Sequence, residues 1–544
     1  MSTLKLNRLA GYTNFDGPMV FVVMDGVGIG KRDASDGVYL ANTPTLDALL
    51  EAPLYTQLKA HGKAVGQPSD GDMGNSEVGH NALGAGRVFS QGARLVNEAI
   101  ESKRLFDGAA WQEISQRAGG GGTVHFIGLL SDGNVHSNIS QLLGLLDRCA
   151  GEDFPRVRVH VLTDGRDVGE RTALGYIDTL EQKLAECSGE GRDYRIASGG
   201  GRMIVTMDRY EANWAIVERG WKAHVLGEGR QFHSAAEAVQ TYYDEDAEVN
   251  DQFLGEFVIV ENSQPVGTVE DGDAVICFNF RGDRAIELSR AFEEAEFPYF
   301  DRKRRPDVFY AGMMQYDGDK AIPKNFLVEP PQIDRTLSEY LCGAGVPSYA
   351  IAETQKFGHV TYFWNGNKSG YLDEHLEKFE EIRSDDVPFQ QRPWMKVAEV
   401  TDALLAAIES GKYKFLRVNY ANGDMVGHTG IAPAVRIAVE SVDLMLTRVQ
   451  AAVRRQKGLL VVTADHGNAD LLYTEKDGKR DPHVAHTLNP VPFVIQDFSG
   501  ANAFALSGLE APGLSNVAAT LLNLLGYEAP AHYDPSLVAL KQGG

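Results

Sequence analysis

Cysteine is scarce in this sequence. The 544 residues include four, which are Cys149, Cys187, Cys277 and Cys342. None belongs to a CxxC pair, and four separated thiols over this length do not make a disulfide framework. We therefore expect reduced, buried thiols and a cytoplasmic location.

Long apolar runs and an excess of positive charge are also missing. No uncharged apolar stretch approaches about 18 residues, the length that a membrane-spanning helix needs. Residues Met1 to Phe15 lack the charged-then-apolar pattern of a secretion signal. The formal net charge of −23 argues against nucleic acid or an anionic membrane surface as a partner, because phosphates would be repelled. A small anionic substrate held by local arginines is compatible with this charge.

The sequence does contain many short apolar runs that alternate with amphipathic stretches. Apolar runs such as 123–130, 156–162 and 415–420 end in polar loops, and helical patterns such as 172–187 lie between runs of this kind. Strands that alternate with helices are typical of an α/β fold with mostly parallel sheets. A chain of this length is too long for one hydrophobic core, so we expect at least two domains.

The stretch Val461-Val462-Thr463-Ala464-Asp465-His466-Gly467-Asn468 is the most informative part of the chain. It reads as a buried strand that ends in a carboxylate and an imidazole. Burying ionisable groups is costly unless a metal ion or a partner satisfies them. In open α/β sheets such groups lie at the carboxyl ends of the strands, where ligands bind.

Other apolar runs deliver similar groups. The run 18–24 leads to Asp25, and the run 415–420 leads to Asp424 and His428, while His486 precedes the run 491–495. The glycines after Asp25 are spaced GVGIG and not GxGxxG, so a dinucleotide site is not indicated. We interpret this turn as a means of presenting Asp25 at the strand end.

Ser76 lies where a loop of small residues enters a predicted helix. One interpretation is an ordinary helix cap, which is the common role of such serines. The other is a nucleophile whose deprotonated form is favoured by the helix dipole and an adjacent metal ion. The sequence alone leaves both open.

The carboxylate, imidazole and hydroxyl groups at these strand and helix ends form a set that suits metal ions. The set consists of Asp25, Ser76, Asp424, His428, Asp465, His466 and His486. Mixed carboxylate and imidazole ligands suit Mn²⁺, Zn²⁺, Co²⁺ or iron, and Mg²⁺ less well. Seven ligands are too many for one tetrahedral site but suit two neighbouring metal ions, a pair that can clamp a phosphoryl group.

Arginines follow several strands of the middle segment, from about residue 96 to about residue 307. They suit an anion pocket at one sheet edge, because guanidinium groups bind carboxylate and phosphate bidentately. The short basic run Asp301-Arg302-Lys303-Arg304-Arg305-Pro306 could be read as a nuclear signal, but we expect a solvated connector beside a domain boundary.

Nine motifs in chain order give the sequence a specific resemblance. The motifs outside the middle segment resemble those of the alkaline phosphatase superfamily: Asp25-Gly26, Gly74-Asn75-Ser76-Glu77-Val78-Gly79-His80, Asp424-Met425-Val426-Gly427-His428-Thr429-Gly430, Ala464-Asp465-His466-Gly467-Asn468 and His486-Thr487-Leu488-Asn489-Pro490-Val491-Pro492. The motifs of the middle segment resemble those of the cofactor-independent (2,3-bisphosphoglycerate-independent) phosphoglycerate mutase family: Ser131-Asp132-Gly133-Asn134-Val135-His136-Ser137, Asp164-Gly165-Arg166-Asp167, Met207-Asp208-Arg209 and Phe280-Arg281-Gly282-Asp283-Arg284. Together they cover almost the whole chain.

The resemblance implies an α/β protein of two domains with mostly parallel sheets, acting as a monomer. A split, phosphatase-like metal-binding domain would comprise residues 1–95 and 310–544. A substrate-binding transferase domain would be inserted at residues 96–309.

The resemblance also assigns roles to individual residues. One metal ion would be held by Asp424, His428 and His486, and the other by Asp25, Ser76, Asp465 and His466. We expect Mn²⁺, with Co²⁺, Mg²⁺ or Zn²⁺ as alternatives, and no 2,3-bisphosphoglycerate. The substrate would be bound by His136, Arg166, Asp167, Arg202, Arg209, Arg281, Arg284 and Lys356.

The implied activity is the interconversion of 3-phosphoglycerate and 2-phosphoglycerate in glycolysis and gluconeogenesis. Ser76, assisted by Lys356, would accept the phosphoryl group as a phosphoserine, and the arginines would retain glycerate until it takes the group back on its other hydroxyl. A metal-dependent phosphomonoesterase would use the same metal ions but would leave the arginines unexplained. A phosphopentomutase would need sugar-phosphate recognition in the inserted domain, and an ion-stabilised binding module would give Ser76 no task.

Overall fold

The computed structural model describes residues 4–12, 15–189, 191–208, 212–317, 320–329, 331, 333–476 and 478–541. The chain divides into two compact units, one formed by Met1–Gln91 with Gln332–Gly544 and the other by Gly92–Pro331. The division falls at 91/92 and 331/332, whereas the sequence predicted boundaries at 95/96 and 309/310. The second shift is the larger one, because the chain after residue 309 still adds a strand to the sheet of the second unit.

The strands, in chain order, are β1 (Met19–Met24), β2 (Tyr55–Leu58), β3 (Val124–Leu129), β4 (Arg156–Thr163), β5 (Asp193–Gly201), β6 (Arg230–Phe232), β7 (Phe257–Glu261), β8 (Gln264–Pro265), β9 (Ala274–Cys277), β10 (Phe309–Gly312), β11 (Ser348–Glu353), β12 (Glu377–Ile382), β13 (Phe415–Tyr420), β14 (Leu459–Thr463), β15 (Tyr473–Lys476), β16 (Lys479–Pro482), β17 (Val491–Asp497), β18 (Phe504–Leu506) and β19 (Val538–Leu540).

The α-helices, in chain order, are α1 (Gly37–Leu40), α2 (Pro44–Leu50), α3 (Ser76–Ala85), α4 (Gly92–Glu101), α5 (Arg104–Asp107), α6 (Ala109–Gly119), α7 (Ile139–Gly151), α8 (Ala173–Cys187), α9 (Trp214–Trp221), α10 (Ala235–Glu245), α11 (Ile286–Glu293), α12 (Leu337–Gly343), α13 (Thr354–Gly358), α14 (Val397–Glu409), α15 (Asn422–Gly427), α16 (Ala432–Arg455) and α17 (Asn516–Leu524). Two short π-helices, Lys222–Leu226 and His359–Phe363, continue α9 and α13.

The first unit is built on a seven-stranded sheet with the strand order β12-β11-β13-β1-β14-β17-β2. Only β17 runs antiparallel to its neighbours, so the predicted mostly parallel sheet is confirmed. All residues of β1, β13 and β14 are buried. Central parallel strands that are covered on both faces need such continuous apolar sequences, and the polar groups are displaced to the strand ends.

The second unit contains an eight-stranded sheet. Its main order is β10-β9-β3-β4-β5-β7-β6, and β8 pairs with β7. The strands from β10 to β5 are parallel, and β7 joins them antiparallel through β5. Its main hydrophobic core, on one side of the sheet, includes Phe126, Val159, Leu142 and Ile177. The unit is therefore a second α/β fold with its own core.

The basic run at residues 301–306 is an integral part of the second unit, so its predicted role as a connector is wrong. Arg302 and Arg305 donate hydrogen bonds to carbonyl oxygens at the C-terminal end of α11, and Arg304 donates to the carbonyl oxygens of Val225 and Val269. Cations near a helix C-terminus satisfy carbonyl groups that lack partners within the helix. These arginines therefore stabilise the unit internally.

Across the described residues, no helix combines the length and the apolar character that crossing a bilayer would require.

Candidate active site

Three adjacent parallel strands of the first unit end in carboxylates at one edge of its sheet. Asp25 follows β1, Asp424 lies in α15 directly after β13, and Asp465 follows β14. The three strands are neighbours in the order β13-β1-β14, so their carboxyl ends meet. Each of the three residues is at most 3% exposed. The fold thus gathers three buried carboxylates that are far apart in sequence.

Ser76 is the first residue of α3 and is 5% exposed. The cap of this helix is Asn75, whose side-chain oxygen accepts a hydrogen bond from the Val78 amide at 3.0 Å. The interpretation of Ser76 as an ordinary cap is therefore wrong, since the capping position belongs to its neighbour. The Ser76 hydroxyl is left to face the carboxylates at the positive end of the helix dipole.

The hydroxyl oxygen of Ser76 is surrounded by charged and ionisable groups. It lies 3.2 Å from Oδ1 of Asp25 and 2.9 Å from Nε2 of His466, and Nζ of Lys356 donates a hydrogen bond to it at 2.5 Å. Lys356 is carried by α13, directly after β11. It also pairs with Asp25 at 2.9 Å and with Asp424 at 2.8 Å.

Asp424, His428 and His486 form a compact triad beside Ser76. Oδ1 of Asp424 lies 3.1 Å from Nε2 of each histidine, and the two Nε2 atoms are 3.1 Å apart. The other ring nitrogen of each histidine contacts a carbonyl oxygen, of Val484 for His428 and of Gly74 for His486. Because those Nδ1 atoms must donate to the carbonyls, it is Nε2 of each ring that faces the carboxylate, and in a neutral ring this nitrogen has a lone pair for a metal ion.

Asp25 and Asp465 take part in two further groupings of potential ligands. Asp25, Asp424 and His466 form one, and Asp25, His80 and Asp465 form the other; within each, the ligand atoms lie within 4.8 Å of one another. Nε2 of His466 is 3.5 Å from Asp25 and 3.8 Å from Asp465. All seven predicted metal ligands and Lys356 therefore converge on one region.

The electrostatics of this region are dominated by excess negative charge. Burial and the neighbouring Asp465 raise the pKa of Asp25 to about 6, although Lys356 opposes the shift. Burial also opposes ionisation of Asp424, but Lys356 and His428 outweigh it and hold the pKa of Asp424 well below its usual range. Burial alone would lower the pKa of Lys356, and the same carboxylates raise it instead. Three buried carboxylates face one ammonium group.

These residues fit divalent metal ions. Oδ2 of Asp465 is buried and accepts no hydrogen bond from the described residues; Nδ1 of His80 lies 3.3 Å from it but is closer, at 2.8 Å, to the carbonyl oxygen of Ser76. Such an oxygen is costly to bury unless a cation satisfies it. The donors are carboxylates and imidazoles, with one hydroxyl, a set that suits Mn²⁺, Co²⁺ or Zn²⁺. Bound cations would also balance the excess negative charge.

Residues behind the predicted ligands were not predicted from the sequence. Asn419 donates to Oδ2 of Asp25 at 2.7 Å and contacts Nε2 of His80 at 3.2 Å, while Nδ1 of His80 lies 2.8 Å from the carbonyl oxygen of Ser76. Asn468 donates to Asp424 at 3.2 Å. Polar residues inside apolar strands, such as Asn419 in β13, are a signal that could have identified them.

Asp470 connects three of the loops that carry predicted ligands. Its carboxylate accepts hydrogen bonds from the Gly28 amide at 3.2 Å, the Thr487 hydroxyl at 2.8 Å and the Asn489 amide group at 2.6 Å. These partners belong to the loops of Asp25 and His486, and Asp470 itself follows His466. Such outer contacts orient ligands.

The second unit gathers most of the predicted substrate-binding residues around His136. The side chain of His136 is 4% exposed, and burial lowers its pKa well below the usual value, with Arg202, Arg281, Arg284 and Arg166 adding to the effect. These four arginines are thus close enough to act on one imidazole. Arg209 lies outside the described residues.

Two carboxylates hold Arg202 of this cluster, and a carbonyl oxygen holds Arg284. Arg202 donates to Asp164 at 2.6 Å and to Asp167 at 2.5 Å, and Asp164 also accepts hydrogen bonds from the amides of Arg166 and Asp167. Arg284 donates to the carbonyl oxygen of Met207 at 2.6 Å. Asp164 was not predicted as a site residue, although its place at the end of β4 indicates such a role.

Comparison with known proteins identifies clear relatives. A family model described as "BPG-independent PGAM N-terminus" matches residues 96–318, which fall within the second unit. The 2,3-bisphosphoglycerate-independent phosphoglycerate mutase of Trypanosoma brucei brucei is 54% identical over 534 residues, covering 96% of this chain and 97% of that protein. 2,3-bisphosphoglycerate-independent phosphoglycerate mutase 1 of Arabidopsis thaliana is 48% identical over 532 residues, covering 95% of each chain.

A solved structure shows the same fold over the full length. The phosphoglycerate mutase of Leishmania mexicana, determined at low cobalt concentration, superposes with a TM-score of 0.82 at 49% sequence identity. The match covers 99% of this chain and 100% of the other.

Proposed function

Since this chain belongs to the family of 2,3-bisphosphoglycerate-independent phosphoglycerate mutases, we propose that it interconverts 3-phosphoglycerate and 2-phosphoglycerate without 2,3-bisphosphoglycerate. The observation that carries this proposal is the environment of Ser76. A serine at a helix N-terminus, 2.5 Å from the Lys356 ammonium group and beside buried carboxylates, is suited to accept a phosphoryl group and release it again.

Two divalent cations complete the proposed site. Asp424, His428 and His486 would hold one, and Asp25, Ser76, Asp465 and His466 would hold the other. When bound, the cations supply positive charge that lowers the pKa of the Ser76 hydroxyl and neutralises the phosphoryl oxygens. We propose Mn²⁺ as the natural metal, with Co²⁺, Zn²⁺ or Mg²⁺ as alternatives that the donor set accepts.

Ser76 is the proposed nucleophile. Its oxygen attacks the phosphorus of 3-phosphoglycerate, the bond from phosphorus to the glycerate oxygen breaks, and a phosphoserine forms. The hydrogen bond from Lys356 favours the deprotonated serine, and the ammonium group also faces the charge that spreads over the phosphoryl oxygens. In the second half of the cycle the 2-hydroxyl oxygen of glycerate attacks the phosphorus of the phosphoserine, the bond from phosphorus to the Ser76 oxygen breaks, and the proton of that hydroxyl returns to Ser76.

Glycerate must stay bound between the two transfers. The arginine cluster of the second unit, consisting of Arg166, Arg202, Arg281 and Arg284, is proposed to bind its carboxylate, and Arg209 is assigned to the same role. Guanidinium groups bind carboxylates bidentately and remain charged at every working pH. His136 and Asp167 are suited to contact the two hydroxyls.

A metal-dependent phosphomonoesterase is the main competing function. It would use Ser76 and the same metal ligands and would release phosphate to water. Four arginines around one buried imidazole favour the mutase, because a hydrolase has no need to retain the dephosphorylated product. A phosphopentomutase would bind a neutral sugar ring, for which this cluster offers excess positive charge.

The test is to supply 3-phosphoglycerate to the Mn²⁺-loaded protein, with bisphosphoglycerate removed, and to follow 2-phosphoglycerate and inorganic phosphate together. We expect 2-phosphoglycerate with little phosphate. Phosphate alone would identify a hydrolase. Both functions would be rejected if neither product formed.

We further propose that the protein works as a cytoplasmic monomer. The four cysteines are free in the structure, which is what a reducing compartment favours. Sedimentation at micromolar concentration tests the oligomeric state, and a dimer in that experiment would contradict the proposal.

A further inference from the structure

A continuous series of hydrogen bonds crosses the second unit. It links Asp273, His125, His160, Ser198, His224 and Thr206. The distances, in that order, are 3.1, 3.0, 2.6, 2.7 and 2.9 Å. We call this series the histidine chain.

The histidine chain is buried along its whole length. Each of its six residues is at most 5% exposed. His125 lies in β3, His160 in β4 and Ser198 in β5. Ile127, two residues after His125 in β3, pairs with His160, and His160 pairs with Ser198. The side chains of His125, His160 and Ser198 therefore share one face of the sheet. His224 reaches them from the π-helix Lys222–Leu226. Three polar side chains on this face of the sheet, beside the apolar cluster that includes Ile127, Val275 and Trp221, require a specific reason.

The hydrogen-bond pattern assigns the protons. The carboxylate of Asp273 can only accept, and it also accepts from the amides of Thr123 and Glu270, so Nε2 of His125 carries a proton. Nδ1 of His125 then accepts from Nε2 of His160. The same logic makes Ser198 donate to Nδ1 of His160 and accept from Nδ1 of His224.

At the end of the series, Nε2 of His224 must accept from the hydroxyl of Thr206. With all three imidazoles neutral, each has one fixed tautomer and every donor points toward Asp273. Burial supports this assignment, because it lowers the pKa of all three histidines, that of His224 to about 3. Asp273 and Glu270 act on the pKa of His125 in the opposite direction, while Arg158 adds to the lowering.

The final member, Thr206, has an unusual backbone conformation. Its φ angle is +68°, which β-branched residues rarely adopt. Its amide donates to the carbonyl oxygen of Ile216 at 2.8 Å, and a Cβ atom at Gly220 would lie 2.0 Å from its hydroxyl oxygen. The hydroxyl is therefore held in a space that only a glycine neighbour leaves open.

Thr206 lies within the segment that follows β5 and bears on the arginine cluster. Arg202 precedes it by four residues, and the carbonyl oxygen of its neighbour Met207 accepts the hydrogen bond from Arg284. We propose that the histidine chain is a positioning device that fixes Thr206, and through it the placement of Arg202 and Arg284 for binding glycerate. The link to glycerate rests on the proposed function; the fixed tautomers do not.

The test compares Thr206→Val with Thr206→Ser in the full-length, Mn²⁺-loaded protein. Valine keeps the branched shape and removes the hydroxyl, whereas serine keeps the hydroxyl. For Thr206→Val we expect KM for 3-phosphoglycerate to rise about tenfold with kcat reduced less than about threefold, since a lost hydrogen bond to a buried group is worth about that factor. Thr206→Ser should restore KM to within about twofold of the wild-type value.

The ¹⁵N chemical shifts of the histidine side chains give a second readout. In the wild-type protein they should report protonated Nε2 in His125 and His160 and protonated Nδ1 in His224. In Thr206→Val only the Nε2 signal of His224 should move strongly.

Several results would overturn the proposal. Other tautomers in the wild-type protein would show that the donors of the histidine chain do not all point toward Asp273. This measurement is made on the wild-type protein and does not depend on the folding of a variant. Equal KM values for the valine and serine variants would remove the positioning role of the hydroxyl. If the wild-type protein does not interconvert the phosphoglycerates while the expected tautomers are observed, the proposed function has failed and the fixed tautomers stand.

Discussion

Nζ of Lys356 lies 2.5 Å from the hydroxyl oxygen of Ser76, and the same ammonium group is paired with Asp25 and Asp424. One cation thus touches both the proposed nucleophile and two of the proposed metal ligands. This contact joins α13 to the N-terminus of α3, 280 residues apart in sequence. The charge balance around Ser76 therefore depends on a residue outside the metal-ligand set.

Replacing Ser76 by alanine should abolish transfer. Without the hydroxyl no phosphoserine can form, and kcat should fall by roughly four orders of magnitude or more, as is usual when a nucleophile is removed. Turnover of 3-phosphoglycerate and the metal content should both be measured. Ser441→Ala, at a partly exposed position of α16, is the control and should retain full activity. Normal turnover in Ser76→Ala would reject the nucleophile.

Lys356→Met should destabilise the metal-free protein more than the metal-loaded protein. Removing the ammonium group leaves buried carboxylates without a partner, at a cost of about 3–5 kcal/mol, and bound cations would compensate part of that loss. Chemical unfolding with and without Mn²⁺ measures both values. Lys368→Met, which breaks a partly exposed pair with Glu339, should cost less than about 1 kcal/mol. An equal loss for Lys356→Met in both forms would contradict this account.

Removing metal ions with a chelator should abolish activity, and added Mn²⁺ should restore it. His486→Ala should weaken Mn²⁺ binding by at least about tenfold, because it removes an imidazole from the triad with Asp424 and His428. Calorimetric titration of the metal-free protein with Mn²⁺ gives the affinity. His375→Ala, at an exposed position, is the matched control. Activity that survives exhaustive chelation would exclude a metal-dependent site.

The second unit should lose stability on acidification through His224. Burial lowers the pKa of this histidine to about 3 in the folded protein, against about 6.5 when unfolded. Above pH 6.5 His224 is neutral in both the folded and the unfolded protein, so it adds no pH dependence to the free energy of unfolding. Between pH 6.5 and 3 only the unfolded chain binds the proton, so the free energy of unfolding should fall by about 1.4 kcal/mol per pH unit for this residue.

Unfolding by urea at a series of pH values between 7 and 4.5 measures that slope. His224→Gln should make the slope shallower by about one proton, whereas His233→Asn, at an exposed position, should leave it unchanged. A slope unaffected by His224→Gln would show that this histidine is not held neutral by the fold.

Arg284→Ala should convert part of the transfer into hydrolysis. If the arginine cluster retains glycerate, its loss should raise the phosphate released per 2-phosphoglycerate formed by about tenfold, which corresponds to about 1.4 kcal/mol of lost binding. Arg230→Ala, which breaks an exposed pair with Glu245, is the control and should leave the ratio unchanged. If Arg284→Ala leaves both the ratio of phosphate to 2-phosphoglycerate and the overall rate unaltered, Arg284 does not help to retain glycerate.

The fold class and the convergence of the predicted groups could be read from the sequence. Asp25, Asp424 and Asp465 each follow a continuous apolar run, and the carboxyl ends of parallel strands meet at one sheet edge. Their roles as metal ligands remain a prediction. For Ser76 the sequence left a helix cap and a nucleophile open; the structure excludes the cap, because that position belongs to the adjacent Asn75, and the nucleophile stays a prediction.

The tertiary structure alone decided which groups surround these residues. The contact of Lys356 with Ser76, the support of Asp25 by Asn419 and the histidine chain from Asp273 to Thr206 all join residues that are distant in sequence. So do the bonds from Arg304 to Val225 and Val269, which help to make the basic run at 301–306 part of the second unit. The sequence determined the chemistry at each strand end, because strand patterns and turns are local. The pairing of side chains was decided by the fold, because hydrogen bonds depend on distances of a few ångströms that only the packed chain defines.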